Sequence, residues 1–288
     1  DFCLSRGLGD VYKRQLYNHC RKYNMRKIKY YLYPVLLVIC LYSCSSTDDD
    51  KQEPQPPIEI PDADELASIG VGLVAYYTFD NETGDDSSPN HYDAALINRP
   101  DIISDTPSNK GKAVYLKQAE KQYINIPYQL FKNTTYSASM WIKDFGAGIL
   151  LSAVNMDKAL DYPCFATRTS SGKFEFYSNN RGKPSLSYSF SYPFSSLQDG
   201  KWHMVTFTHI PGGDGSSCEK KLYVDGKLVA NCEGVYDIPT SIKVQIGGDC
   251  DGHYTSSSAD MKLDNIRIYD RVLEAEEINT VYNIERIR

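Results

Sequence analysis

The sequence predicts an all-β fold, an antiparallel β-sandwich that ends in a short C-terminal helix. From Gly72 onward, short segments alternate apolar and polar residues and are rich in Tyr, Phe, Val, Ile and Thr, which is typical of strands. Turn signals that contain glycine separate these segments, at 109–111, 171–172, 199–200, 225–226 and 247–248. Many short strands of this kind, with almost no helix between them, favour a sandwich.

Periodicity places the elements in order along the chain. The alternating pattern predicts strands at 73–80, 113–117, 123–126, 136–144, 173–178, 203–209, 221–230, 243–248 and 261–270. The stretch 221–230 folds back about Asp225-Gly226, a pair that favours a hairpin turn. Helical character is confined to 273–282, where an apolar stripe can form from Leu273, Ile278, Val281 and Tyr282.

The first 43 residues predict export. Residues 1–24 resemble a translated linker fragment, and we do not expect them to belong to the native protein. Met25 opens residues 25–43, which read as a signal peptide: basic residues come first and a short apolar run follows. That run is shorter than the roughly 17–25 residues that a membrane-spanning helix needs.

The signal ends in LYSC at 41–44, which resembles a bacterial lipobox and predicts that Cys44 carries the lipid. The alternative is an unmodified cysteine inside a membrane anchor. Residues 44–69 form an acidic, proline-rich tether. A serine followed by aspartates after the lipidated cysteine resembles an export tag of surface lipoproteins. We therefore expect an outer-membrane lipoprotein that faces the cell surface, with a spacer facing the periplasm as the alternative.

The charge and length of the chain limit its possible functions and its number of domains. The chain has a net charge of −6, with 37 acidic and 31 basic residues, and the acidic excess is larger beyond Cys44. An acidic chain without a basic stripe argues against a nucleic-acid partner, because that binding depends on neutralising phosphates. The part that follows the tether suits one large domain, which we place at 70–283, with 284–288 as a tail.

The cysteines allow disulfides in an exported chain. Beyond Cys44 the chain has Cys164, Cys218, Cys232 and Cys250, which allow three pairings. We favour Cys218–Cys232, because both flank the hairpin at nearly equal distances from its turn. A register slip of one residue would place them on opposite faces. The sequence has no CxxC pair, so it does not favour a zinc or thioredoxin-like site.

A succession of motifs resembles one family. LVAYYTFDN, SSPNHYDAAL, GKAVYLKQAEKQYINIP, YSASMWIKD, DGKWHMVTFTH, LYVDGKLVA and LDNIRIYDRVLEAEEINTVY occur in this order. This order is similar to bacterial laminin-G-like (LamG) domains of the concanavalin A-like lectin/glucanase superfamily. The resemblance implies a jelly roll of two antiparallel sheets, one of them curved. Trp141 and Trp202 lie in strand patterns, and we expect both in the core rather than on a ligand platform.

Catalytic signatures are absent from the sequence. It has no GxSxG elbow, no HExxH and no phosphate-cradling glycine loop. Glucanases with the implied fold carry acidic residues at alternating positions of one strand, because hydrolysis of a glycosidic bond needs two carboxylates. The strand at 173–178 has only Glu175. We expect no enzyme activity, and a glycoside hydrolase is the least favoured alternative.

The resemblance implies a structural calcium ion near the ends of the first and last strands. The positions that match are Asp80, Asp86 and Asp264, and carboxylates on loops are the ligands that calcium prefers. The alternative is that these are ordinary turn aspartates. A second cluster of metal-ligand types lies at Asp249, Asp251 and His253. His203 and His209 are expected to flank a strand rather than bind a metal.

Sugar recognition uses aromatic faces beside hydrogen-bonding amides and charged groups. The loop residues that offer this chemistry are Tyr177, Asn179, Asn180, Arg181 and Tyr254, and the alternative for each is a solvated loop. The expected function is a surface-anchored lipoprotein whose non-catalytic domain binds an extracellular polysaccharide or matrix glycan. The alternative is a protein-interaction, adhesion or structural module with a partner protein in the cell envelope, since a fold does not fix function.

Overall fold

Two antiparallel β-sheets pack face to face in the computed structural model of this chain. The structure describes residues 68–131, 135–155, 165–170, 172–178, 186–212, 217–235, 242–248 and 260–286. All of them belong to one compact unit, Pro56–Arg288. The predicted signal, the predicted lipidation site Cys44 and residues 45–67 of the predicted tether lie outside the described residues. No helix among the described residues is long and apolar enough to cross a membrane.

Within the described residues, one sheet has eight strands. Its order is β13 (Lys227–Val235), β12 (Ser217–Val224), β11 (His203–Pro211), β6 (Tyr136–Lys143), β15 (Met261–Tyr269), β4 (Ala113–Leu116) and β3 (Asp101–Ile103). The eighth strand, β1 (Leu73–Tyr77), pairs with the second half of β15, and β4 pairs with its first half. The register of β15 shifts between Asp264 and Arg267, close to where its two partners meet.

The other sheet has seven strands in the part of the chain that the structure describes. Their order is β10 (Leu186–Pro193), β9 (Lys173–Ser178), β8 (Phe165–Ser170), β7 (Ile149–Asn155), β14 (Ile242–Ile246), β5 (Tyr123–Ile126) and β2 (Ala95–Ile97). All pairs are antiparallel. The predicted fold class, a two-sheet antiparallel sandwich with a C-terminal helix, is confirmed.

The interior of the sandwich is filled by one apolar cluster to which both sheets contribute. Val205 and Leu222 come from the eight-stranded sheet, and Ile124, Leu151 and Val244 come from the seven-stranded sheet. Because side chains alternate between the two faces of a strand, the residues between these point away from the interior. The outward residues therefore decide what each outer face of the sandwich presents.

The C-terminal helix α1 (Ala275–Glu285) covers the outer face of the eight-stranded sheet. Its apolar side packs in a second cluster, which we call the outer cluster: Ile69, Trp141, Met204, Tyr223, Tyr269, Leu273, Ile278 and Val281. The helix continues past the predicted end at 282, because Glu285 is fully buried and accepts bonds from the Trp141 indole at 2.8 Å and the Arg267 guanidinium at 2.6 Å. Trp141 is thus buried, but in the outer cluster and not between the sheets.

Strand prediction succeeded where apolar and polar residues alternate. The predicted segments at 123–126 and 173–178 coincide with β5 and β9. The pattern missed β7, an apolar run, and β8 and β10, which are rich in Ser and Thr. It also missed β2 and β3, which are only three residues long. Apart from β10, whose apolar residues do alternate with serines, these segments lack the contrast between neighbours that identifies a half-buried strand.

The predicted hairpin is present, with Asp225 and Gly226 both at positive φ in the turn. The predicted disulfide Cys218–Cys232 is absent, because both cysteines are free thiols. The register of β12 and β13 skips one residue beside Leu222, so Cys232 lies opposite Lys220 and Cys218 lies opposite Gly234. The cysteines are therefore diagonal neighbours, which lie farther apart than a disulfide allows.

Candidate functional site

The outer face of the seven-stranded sheet carries a row of polar side chains, which we call the polar row: Asn125, Gln245 and Ser152. The register pairs Gln245 of β14 with Asn125 of β5 on one side and with Ser152 of β7 on the other. Each residue lies between two residues that pack in the interior cluster, so its own side chain is on the outer face. Three neighbouring strands thus place amide and hydroxyl groups side by side.

Hydrogen bonds hold the polar row in a fixed arrangement. The Gln245 amide Nε2 donates to Asn125 Oδ1 at 3.0 Å, and the Ser152 hydroxyl donates to the Gly248 carbonyl at 2.7 Å. Ser152 and Gln245 are buried, whereas Asn125 is partly exposed. Held side chains of this kind lose little conformational freedom when a ligand binds, so the row is preorganised.

The backbone after β14 approaches the row closely. A Cβ atom at Gly248 would lie 2.8 Å from Gln245 Oε1 and 2.9 Å from the Cβ of Tyr123. A side chain at this position would push Gln245 out of the row, so a glycine at 248 is required for this approach. In the sequence, the glycines at 247–248 indicate only a turn.

The strand register places Tyr177, a predicted sugar-binding residue, in the same cross-strand line as the polar row. Ser152 pairs with Ala166 of β8, and Ala166 pairs with Tyr177 of β9. On β9 the buried Glu175 alternates with Phe174, which lies in the interior cluster, so Glu175 is also on the outer face. The other predicted sugar-binding residues, Asn179, Asn180, Arg181 and Tyr254, lie outside the described residues.

Both carboxylate oxygens of Asp86, a predicted calcium ligand, already accept hydrogen bonds. Its Oδ1 accepts the backbone N–H groups of Tyr76 and Ser88, both at 2.8 Å. Its Oδ2 accepts the Ser88 hydroxyl at 2.7 Å and the Tyr92 N–H at 2.9 Å. A carboxylate has about four lone-pair sites, and these bonds use them all. The structure thus places Asp86 as the organiser of the loop after β1.

The other two predicted ligands lie near the junction of β1 and β4 on β15: Asp80 follows β1, and Asp264 is on β15. Asp80 Oδ1 accepts the Lys112 N–H at 2.8 Å. Burial raises the pKa of Asp264 to about 8, and the charges of Glu285 and Asp80 add to the rise. Since the lone pairs of Asp86 are used, a calcium ion at this end of the sandwich would depend on Asp80 and Asp264 among the three predicted ligands. Calcium binding stays a prediction.

No three His, Cys, Asp or Glu side chains among the described residues are grouped to hold a metal ion. The cluster Asp249, Asp251 and His253 lies outside them. His203 is the first residue of β11, and its ring lies between Asp225 Oδ2, 2.8 Å from Nδ1, and Asp199 Oδ1, 3.0 Å from Nε2. His209 is buried within the same strand, and its ring stacks on that of Tyr136.

Comparison with known structures finds binding domains with the same sandwich. The binding domain of Paraclostridial Mosquitocidal Protein 1 has a TM-score of 0.54 at 16% identity, with 75% of this chain and 53% of that chain covered. The botulinum neurotoxin type G receptor binding domain has a TM-score of 0.52 at 17% identity, with 74% and 51% covered. The chain thus spans about half the length of these toxin domains. Such likeness shows the fold.

A third structure is matched over nearly its whole length. Domain 4 of AbnA, an extracellular arabinanase of Geobacillus stearothermophilus, was solved in complex with arabinotriose. It has a TM-score of 0.50 at 17% identity, with 73% of this chain and 98% of that chain covered.

No curated protein matches the sequence. The Laminin_G_3 family, described as the concanavalin A-like lectin/glucanases superfamily, matches residues 118–279, which is more than half of the chain. This match confirms the resemblance inferred from the motifs. The chain therefore belongs to the Laminin_G_3 family of the concanavalin A-like lectin/glucanases superfamily.

Proposed function

We propose that this domain binds an extracellular glycan without cleaving it, on the outer face of the seven-stranded sheet. The observation that carries the proposal is the polar row, Asn125, Gln245 and Ser152, which the sheet register aligns with Tyr177. Asn125 is the partly exposed member of the row, and its amide can both donate and accept hydrogen bonds, as sugar hydroxyls require of a partner, while the buried Gln245 and Ser152 hold the row in place. The other outer face is occupied by the outer cluster and α1.

The small number of acidic residues in the strands of this sheet supports a binding role without catalysis. Hydrolysis of a glycosidic bond uses two carboxylates on either side of the bond. Glu175 is the one acidic residue in the seven described strands of the sheet. The AbnA domain with bound arabinotriose provides a precedent for an oligosaccharide on this fold.

The proposal also includes the cellular location of the domain. The lipobox at 41–44 and the acidic tether support a lipoprotein that is anchored through Cys44 in the outer membrane and faces the cell surface. A domain tethered in this way would retain polysaccharide near the cell. Protease treatment of intact cells tests the orientation: digestion of the domain is expected, and a domain that is protected until the cells are lysed would indicate the periplasm.

A glycan array probed with the full chain, with and without chelator, tests the binding itself. We expect a signal that is specific for a class of saccharide and that falls when Asn125 is replaced by alanine. Asn231→Ala is the matched control, because Asn231 is an exposed amide on β13 of the other sheet. Silence on the array together with capture of an envelope protein would favour the protein-interaction alternative, and release of sugar would indicate a hydrolase.

We propose further that calcium is held between Asp80 and Asp264. The support is the position of both residues near the junction of β1, β4 and β15, together with the burial of Asp264, which makes a cationic partner favourable there. Thermal unfolding with added calcium is expected to show a higher midpoint than with chelator, because an ion that binds only the folded state stabilises it. Asp80→Asn should remove the difference, and the exposed Asp85→Asn should keep it. Equal midpoints with calcium and chelator in the unaltered chain would contradict the proposal.

A further inference from the structure

A cluster of reactive side chains lies inside the sandwich, away from the polar row. Lys220 of β12 is opposite Cys232 of β13 and opposite His209 of β11 in the sheet register, and Cys218 lies two residues before it on the same strand. Cys218 and Lys220 alternate in step with Leu222, which belongs to the interior cluster, so both side chains are on the inner face. Lys220 is 2% exposed and Cys218 is also 2% exposed.

A lysine is unusual in the interior of a sandwich, and the proposed glycan site does not use Lys220. Lysine is almost never fully buried unless it is paired with another group. Lys220 Nζ contacts a thiol, Cys218 Sγ, at 2.7 Å. The nitrogen–oxygen distance of an N–H···O hydrogen bond is about 2.7–3.2 Å, and sulfur is a larger atom than oxygen. A separation of 2.7 Å is thus shorter than a relaxed contact between an amine and a thiol.

The surroundings favour the uncharged, nucleophilic form of the amine. Burial lowers the pKa of Lys220, in spite of the two neighbouring thiols, Cys218 and Cys232. A lysine with a lowered pKa is uncharged for a larger fraction of the time, and the uncharged amine is the form that reacts. Cys232 is partly exposed and packs against the interior cluster beside the lysine, so a small molecule such as dioxygen has a short path to the pair.

We propose that Lys220 and Cys218 are a covalent modification site, at which oxidation by dioxygen joins Nζ to Sγ through one bridging oxygen atom. The amine and the thiol each lose one hydrogen, as one N–H bond and the S–H bond break. One atom of dioxygen forms the N–O and O–S bonds of the bridge, and the other leaves as water with the two hydrogens. Nitrogen and sulfur are each oxidised by two electrons, and both oxygen atoms are reduced. An excess of dithiothreitol returns the amine, the thiol and water.

The geometry favours this linkage over the Cys218–Cys232 disulfide that the sequence suggested. Cys218 and Cys232 are diagonal neighbours across the strand pair, whereas Cys218 and Lys220 extend from the same face of one strand. A nitrogen and a sulfur that share a bridging oxygen lie closer than two atoms in van der Waals contact and farther apart than two bonded atoms. The 2.7 Å separation of Nζ and Sγ lies in that interval.

Peptide mapping of the full chain tests the proposal. The chain is purified in air, alkylated without reductant and digested with trypsin, which does not cut after a modified lysine. We expect peptide 202–221, uncut after Lys220 and not alkylated at Cys218. Its mass should exceed that of the plain sequence by one oxygen less two hydrogens. Treatment with dithiothreitol before alkylation should instead give peptide 202–220 with Cys218 alkylated.

Variants show which residues form the bridge. Cys218→Ser and Lys220→Arg should both abolish the mass change, whereas Lys221→Arg, at the neighbouring position on the other face of β12, should retain it. If either variant fails to fold, unaltered chain that is prepared without oxygen provides the same comparison. Cys218 that is fully alkylated in air-exposed protein, with normal cleavage after Lys220, would overturn the proposal. A Cys218–Cys232 disulfide, or a bridge from Lys220 to Cys232, would overturn it as well.

Discussion

The outer face of the eight-stranded sheet is covered by α1 and by apolar side chains, whereas the outer face of the seven-stranded sheet carries amides and hydroxyls. On the covered face the buried Arg267 guanidinium is neutralised by Glu285 and lies 3.7 Å from the centre of the Tyr76 ring. That face is part of the structural core. On the other face polar groups are held in place with no helix over them among the described residues. The same sandwich thus uses one face for stability and leaves the other for the proposed binding.

Removing the charge of Glu285 should have the largest effect. Glu285→Gln leaves the buried Arg267 guanidinium without this anion, and breaking a buried pair in this way costs about 3–5 kcal/mol. Urea unfolding measures the loss, and Glu276→Gln, an exposed position on the same helix, should change the free energy of unfolding by less than about 0.5 kcal/mol. Glycan binding by the folded fraction should not change. Loss of binding with normal stability would mean that the covered face carries the site.

Gly248→Ala is expected to damage the binding face. The added Cβ would meet Gln245 Oε1 and the Tyr123 side chain, and overpacking of this kind costs about 1–3 kcal/mol. Because Gln245 must move, glycan affinity should fall together with the melting temperature. Gly200→Ala is the control: its Cβ would meet nothing within 4 Å, so only the strain of its positive φ remains. Equal effects of the two variants on affinity would argue against the polar row.

Gln245→Ala separates binding from stability. The variant removes one hydrogen bond to Asn125, and a typical hydrogen bond contributes only about 1 kcal/mol to folding. Because the buried Gln245 holds the partly exposed Asn125 in position, affinity for the glycan should fall at least about tenfold, which corresponds to about 1.4 kcal/mol of binding free energy. Calorimetric titration measures the first effect and urea unfolding the second. Retained affinity would show that the ligand binds elsewhere on the domain.

The fold was predictable because its strong signals are local. Alternation identified β5 and β9, and Asp225-Gly226 identified the hairpin. The polar row was not predictable, since Asn125, Ser152 and Gln245 are far apart in the sequence and only the register of three strands aligns them. Each of the three is an ordinary outward residue of its strand. A polar residue between two core residues is the only local signal, and most strands with a solvated face show it.

The register also explains the incorrect disulfide prediction. Counting from the turn suggested that Cys218 and Cys232 are nearly opposite each other. The one-residue skip beside Leu222 moves Cys232 to a position opposite Lys220 and so brings both cysteines and the lysine onto one face. A bulge of this kind depends on packing against neighbouring elements and has no sequence signature here.

The smallest expected effect concerns His203, which contacts the hairpin turn that packs against α1. Asp225 accepts the Met204 N–H at 3.0 Å and contacts the His203 ring, and a Cβ at Gly226 would lie 2.9 Å from Asn279 of α1. The bond to Asp225, opposed by burial and aided by Asp199, raises the pKa of His203 above its ordinary 6.5. A raised pKa contributes stability that is complete below pH 6.5 and is lost as the pH rises through the folded-state value.

The free energy of unfolding should therefore decline as the pH rises from 6 to 9, by less than about 1 kcal/mol, since the ion pairs are partly exposed. His203→Gln should flatten this decline, and His91→Asn, at an exposed histidine, should keep it. At acid pH a second loss follows, because the bond from His203 lowers the pKa of Asp199 to about 2. Since His203 begins β11 and Asp199 and Asp225 lie in loops of the covered sheet, glycan affinity should stay constant between pH 6 and 9. A parallel decline of affinity and stability would show that the two outer faces are coupled.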